Sequence, residues 1–137
     1  MPSPAESKPD LLQFGLLLFM ATLSIANGAI MVLFSEQWYM CLVNPARAAF
    51  YSAHFVTDVG TAYVTIGAAM LWAALRPQYA YPLIGVALLF SVLHAVHHVY
   101  EYASFGMPTR HALVEVLGIW GPVVLLAGLI WRRRARS

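Results

Sequence analysis

The stretch LLQFGLLLFMATLSIANGAIMVLF, residues 11–34, decides the fold because it contains no charged side chain. A helix needs about 20 consecutive apolar residues to cross the roughly 30 Å of hydrocarbon in a bilayer. The stretch therefore predicts a transmembrane helix. A cleaved signal peptide is the alternative, but the flank is nearly charge-neutral (Glu6, Lys8, Asp10) and the run is longer than a signal core.

Three further stretches have the same character: residues 51–75, 82–100 and 111–131. The whole chain is 61% hydrophobic and 10% charged, with a mean hydropathy of +0.69, far from the balance of a soluble domain. Short connections and a basic tail at 132–137 make up the remainder, which leaves no room for a soluble domain. We predict an all-α integral membrane protein, a four-transmembrane-helix bundle that forms one domain over 1–137.

Basic residues predict the orientation of the bundle. The tail WRRRARS holds four of the eight Lys and Arg residues, and Lys8 and Arg76 fall on the same side if four helices alternate. Only Arg47 and Arg110 fall on the other side. The excess of positive charge predicts cytoplasmic termini in a multi-pass protein of the inner (plasma) membrane. We expect the tail to touch anionic membrane lipid and not nucleic acid.

Ionisable side chains concentrate in the outer half of these helices. All five histidines and three of the six acids fall there: His54, Asp58, His94, His97, His98, Glu101, His111 and Glu115. Ionisable groups in hydrocarbon are costly unless they are paired, hydrated or metal-bound, so they are candidates for function. A hydrogen-bonded structural network, or plain contact with interfacial water, is the alternative.

Helical spacing predicts that these groups share faces. At 100° per residue, His94, His98 and Glu101 lie within about 60° of one another. The pairs His54/Asp58 and His111/Glu115 are each four residues apart, so each pair stacks on one face. By contrast, Asn27 lies beside Ser24 and Gly28 and is interpreted as a helix-packing residue.

Clustered imidazoles and carboxylates predict a metal site. Neutral imidazole suits zinc, copper, iron and nickel, and carboxylates add a preference for harder ions. The expected ligands are His54, Asp58, His94, His97, His98 and His111. Glu101 and Glu115 are the expected catalytic acid or base. Iron or copper is favoured, then zinc. Haem b between two facing histidines is less favoured, because acids accompany the histidines.

Two resemblances bear on this site. The string HAVHH, residues 94–98, resembles the HxxHH box of membrane fatty-acid desaturases and alkane hydroxylases, in which several boxes hold two irons. HFVTDVG at the start of the second helix, with HAVHH ending the third, resembles a group of small bacterial four-helix membrane proteins. The second resemblance implies the same fold and a shared site, but it brings no established reaction.

Three functional hypotheses follow. The first is a metal-dependent membrane oxidoreductase acting on a lipid or another small apolar substrate. The second is a zinc-dependent lipid hydrolase. The third is a non-catalytic metal- or haem-binding subunit, a small bundle that needs a membrane partner or self-association to homo-oligomers. An enzyme of this kind needs an apolar groove that leads sideways to the site, whereas a metal carrier needs an exit to the outer aqueous side.

Overall fold

The computed structural model describes residues 10–42, 49–105 and 112–135, and at residues 105, 112, 114 and 115 it describes the backbone alone. His111 lies outside the described residues, and the side chain of Glu115 is not described. The predicted pairing of these two residues therefore stays a prediction.

Helices account for nearly all of the described chain, and no strand occurs in those ranges. The helices are α1 Leu11–Leu33, α2 Ser35–Leu42, α3 Ala53–Leu75, α4 Ala80–Phe105 and α5 Ala112–Arg134. A short 3-10 turn at Pro77–Tyr79 joins α3 to α4. Four helical segments, corresponding to α1, α3, α4 and α5, are long and apolar enough to cross a membrane. The four-helix architecture predicted from the apolar stretches is confirmed.

Two differences from the sequence prediction exceed three residues, and among the smaller ones α5 runs to Arg134 and so includes part of the predicted tail. Residues 35–42, expected to be part of a connection, form α2, because only Phe34 leaves helical geometry (φ −136°, ψ 47°) before a new helix starts. α4 continues past Tyr100 to Phe105, since neither Gly nor Pro interrupts the chain before Gly106. The end of the bundle at which α2 lies is called the α2 end below.

α1 and α3 pack against each other more extensively than any other pair of helices, and glycine allows it. A Cβ at Gly28 would lie 2.5 Å from the Gly60 carbonyl oxygen and 2.9 Å from the Val64 backbone nitrogen. A Cβ at Gly67 would meet Ile25 and Ala21 of α1. Small residues at these points let the two backbones come into direct contact.

The remaining helices complete the bundle less evenly. α4 packs against α3 and α5, whereas α1 and α5 barely touch. One buried cluster closes the end opposite α2: Leu17, Met20, Ala21, Met70, Ala73, Ala74, Ala80, Ile84, Ala87, Leu126 and Leu129. The bundle is therefore closed at one end and loosely packed along its α1–α5 side.

We predict that Gly28→Ala destabilises the bundle, because the new methyl group must displace backbone atoms of α3. The expected loss is about 1–3 kcal/mol, the usual cost of overpacking. Unfolding of the purified protein in mixed micelles, titrated with a denaturing detergent, measures it. Gly85→Ala is the control, since a Cβ at Gly85 meets nothing within 4 Å. Equal stability of both variants would contradict the close α1–α3 contact.

Candidate functional site

A cavity of about 400 Å³ lies between the helices, from the middle of the bundle toward the α2 end. This volume falls within the roughly 300–1,000 Å³ that is typical of small-molecule sites. All five helices contribute to its walls, and most lining side chains are apolar, among them Phe19, Leu23, Met70, Phe90 and Leu125. An apolar cavity of this size suits an apolar ligand.

Polar side chains of the cavity come from four helices. They are Ser24, Asn27, Trp38, Tyr63, Ser91, His94 and His98. No Asp, Glu, Lys or Arg is among the described residues that line it. Ser24 donates to the Tyr63 carbonyl oxygen (2.9 Å) and Ser91 to the Ala87 carbonyl oxygen (2.8 Å), so backbone groups already engage both hydroxyls.

Tyr63 and His94 form the central polar pair of the cavity. The Tyr63 hydroxyl lies 3.0 Å from Nε2 of His94, at hydrogen-bond distance, and the imidazole tautomer decides which atom donates. Phe90 stacks on the His94 ring (centroids 5.9 Å apart, planes at 6°) and meets the Tyr63 ring edge-on. Three rings from α3 and α4 therefore hold the hydrogen bond in one place.

The histidines of α4 lie along one face, as their spacing predicts. The ring centroids of His94 and His98 are 4.7 Å apart, and Nδ1 of His98 lies 3.5 Å from Oε2 of Glu101. His97 stands farther out, with 61% of its side chain exposed and its Nε2 3.9 Å from Oε1 of Glu101. Only His94 and His98 of this group line the cavity.

The structure does not bring His54 and Asp58 to the cavity. Their side chains are 89% and 64% exposed, and they pair with each other at 3.4 Å. Val56 and Gly60 occupy the buried face of α3 at this level, and two residues along a helix correspond to a rotation of about 200°. Packing of that face against α1 turns His54 and Asp58 to the outside of the bundle.

The expected convergence of metal ligands is therefore incomplete in the part of the chain that the structure describes. There, no group of three or more His, Cys, Asp or Glu side chains is arranged to hold a metal ion. The single cysteine, Cys41, is exposed on α2. The metal, its identity and the roles of Glu101 and Glu115 stay predictions.

Asn27 and Trp38 are site residues that the sequence interpretation missed. Nε1 of Trp38 donates to Oδ1 of Asn27 (2.9 Å), and Nδ2 of Asn27 donates to Sδ of Met31 (3.5 Å). All three residues line the cavity. A carboxamide in an apolar helix needs hydrogen-bond partners, so the sequence did contain a signal at Asn27. Nothing in the sequence identified Trp38 as the partner.

α5 carries a proline in the cavity wall. Pro122 lies inside this helix and has no N–H, so the carbonyl group four residues earlier, at Gly118, lacks its usual intrahelical donor. Gly118 and Pro122 both line the cavity.

The exposed part of the cavity lining lies on α1 and α5, which indicates a sideways opening between these two helices. Its exposed lining residues all belong to these two helices: Phe19 and Leu23 on α1, Leu117 and Gly118 on α5. The backbones of α1 and α5 make few close approaches, and the gap between these two helices at the level of the cavity is called the α1–α5 seam below. A sideways apolar opening is the feature expected of a protein that handles an apolar substrate.

Comparisons of the chain with protein-family models, curated proteins and solved structures give no match. The resemblances to HxxHH proteins and to small four-helix bacterial membrane proteins stay predictions. Functional inference therefore depends on the geometry of the cavity.

We predict that Trp38→Phe loosens α2, because it removes the hydrogen bond to Asn27 and keeps an aromatic side chain. The loss corresponds to about 1 kcal/mol of docking free energy. A nitroxide label on Cys41, the one cysteine of the chain, reports it as a more mobile electron paramagnetic resonance spectrum. Trp72→Phe, on exposed α3 surface, is the control. An unchanged spectrum for Trp38→Phe would show that this bond does not hold α2.

Proposed function

We propose that this chain is a multi-pass plasma-membrane protein that binds a lipid or another small apolar molecule in the cavity behind the α1–α5 seam. The observation that carries the proposal is the apolar cavity itself, which has polar groups inside and a sideways opening. In a bilayer, such an opening faces the hydrocarbon in which apolar molecules are dissolved. Binding from the membrane then needs no passage through water.

The proposed orientation places both termini in the cytoplasm. Arg132, Arg133 and Arg134 end α5 at the end opposite α2, where Arg134 donates to the Tyr81 hydroxyl (3.1 Å) and Arg133 lies over the Tyr81 ring. Arg76 lies at the same end. Positive charge favours the cytoplasmic side, which supports a cavity in the outer half of the membrane.

Polar contacts must then provide most of the selectivity. A molecule that moves from lipid into an apolar cavity exchanges one apolar environment for another, so burial of its chain gains little free energy. Hydrogen bonds inside the cavity distinguish the ligand from bulk lipid. The proposal therefore gives Tyr63, His94 and Asn27 the recognition role.

Gly121→Leu tests the proposal by filling the cavity. Gly121 lines the cavity, and a Cβ there meets nothing within 4 Å, so the larger side chain extends into open space. We expect crosslinking by diazirine-bearing apolar probes to fall about tenfold at cavity residues, because an intruding side chain costs a ligand about 1–3 kcal/mol. Mass spectrometry of labelled peptides from protein in lipid nanodiscs measures the effect.

Gly128→Leu is the matched control. It adds the same side chain to the same helix, again with nothing within 4 Å of the Cβ, but outside the cavity. Crosslinking should stay at the level of the unmodified chain. If both variants label alike, or if labelling is confined to lipid-facing surfaces, the cavity is not a binding site.

A metal-dependent oxidoreductase is the second candidate, because His94 and His98 line the cavity with their rings 4.7 Å apart. Two neighbouring imidazoles suit iron or copper, and then zinc, which would favour hydrolysis instead. Such a centre would lie beside the bound apolar molecule. The two candidates are compatible, since the first concerns binding and the second concerns chemistry.

Elemental analysis of protein purified without chelators or a His tag tests the second candidate. We expect near-stoichiometric metal that His94→Ala or His98→Ala reduces by half or more. His54→Ala should retain it, because His54 lies on the outside of the bundle. A metal-free protein after reconstitution would contradict this candidate, and a Soret band would replace it with haem binding.

A further inference from the structure

The geometry points to an uncharged amphiphile as the ligand, with a hydroxyl or carbonyl head that binds at Tyr63 and His94. This inference rests on the proposed function and names its substrate class. The ligand enters through the α1–α5 seam with its head at the hydrogen-bonded pair. Its apolar chain lies along Phe19, Leu23 and Leu125.

The first support is the charge of the cavity. Its polar lining consists of hydroxyl, carboxamide, indole and imidazole groups, without a carboxylate, ammonium or guanidinium group among the described lining residues. A charged head left without an opposite charge in an apolar environment carries a large desolvation cost. The composition of the described lining therefore favours a neutral head over a fatty-acid carboxylate, a phosphate or an ammonium group.

The second support is the hydrogen-bonding capacity of the pair. When the Tyr63 hydroxyl donates to Nε2 of His94, the phenol oxygen can still accept a hydrogen bond from a hydroxyl head. In the other imidazole tautomer, Nε2–H donates to the phenol oxygen, and the Tyr63 O–H can donate to a carbonyl head. One pair thus complements both alcohol and carbonyl compounds.

The third support is that few other polar groups of the cavity are available to bind the head of the ligand. Backbone carbonyls already engage the hydroxyls of Ser24 and Ser91. Trp38 donates to Oδ1 of Asn27, and Nδ2 of Asn27 donates to Sδ of Met31, which leaves one N–H of the carboxamide for a ligand. Glu101 already engages His98, with Nδ1 of His98 3.5 Å from Oε2 of Glu101. Head recognition therefore falls to Tyr63, His94 and Asn27.

The experiment uses the full chain in lipid nanodiscs and four diazirine-bearing probes of equal chain length. Their heads are a primary alcohol, a methyl ketone, a carboxylate and a plain methyl end. We expect the alcohol and ketone probes to label cavity peptides about five- to tenfold more than the other two, the range that one or two hydrogen bonds provide.

Variants separate recognition from packing. Tyr63→Phe keeps the ring that meets Phe90 and His94 edge-on but removes the hydroxyl. Labelling by the alcohol and ketone probes should therefore fall about fivefold. Thr65→Ala, which removes an α3 hydroxyl that lies outside the cavity and is bonded within its own helix, should leave labelling unchanged. If Tyr63→Phe does not fold, His94→Phe keeps the stacking on Phe90 and removes the same hydrogen bond.

The outcomes distinguish this inference from the proposed function. If the carboxylate or methyl-ended probe labels the cavity as strongly as the alcohol, or if loss of the Tyr63 hydroxyl changes nothing, the inferred head chemistry is wrong while cavity binding stands. If no probe labels cavity peptides, and Gly121→Leu has no effect on labelling, the proposed function fails and the inference fails with it.

Discussion

Direct backbone contact between α1 and α3 at Gly28 and Gly60 is the constraint on which the rest of the bundle depends. The two backbones are so close at Gly28 that a single methyl group there would overlap the facing helix. The contact between α1 and α3 is the most extensive of any pair of helices. α5 then packs mainly on α4 and barely reaches α1. The α1–α5 seam, and the cavity behind it, follow from this unequal packing.

The same contact sets the direction of the polar groups on α3. The face that carries Val56 and Gly60 lies against neighbouring helices, so His54 and Asp58 point outward, where they pair with each other. Tyr63 lies almost one full turn past Gly60 and faces α4, within reach of His94. Helix rotation therefore separates one ionisable pair from the cavity and places a tyrosine in it.

Most serine and threonine hydroxyls in the described helices bond to the backbone. Thr22, Thr57 and Thr65 donate to the carbonyl oxygen four residues earlier, which satisfies them without a partner helix. The Tyr63–His94 and Asn27–Trp38 bonds join side chains from different helices at the cavity. Side-chain bonds of this kind in an apolar environment position donors and acceptors for a ligand, and this arrangement is the basis of the proposed binding role.

The sequence by itself determined the four long helices and which histidines share a face of α4, because the length of an apolar run and the helical period are local properties. The run 11–34 was sufficient to predict α1, and four-residue spacing placed His94 beside His98. Tertiary structure alone decided which polar residues meet. Tyr63 and His94 are 31 residues apart, and only the rotation and packing of α3 bring them within 3.0 Å. The outward turn of His54 has the same cause, since side-chain spacing within one helix does not specify which face packs against its neighbour.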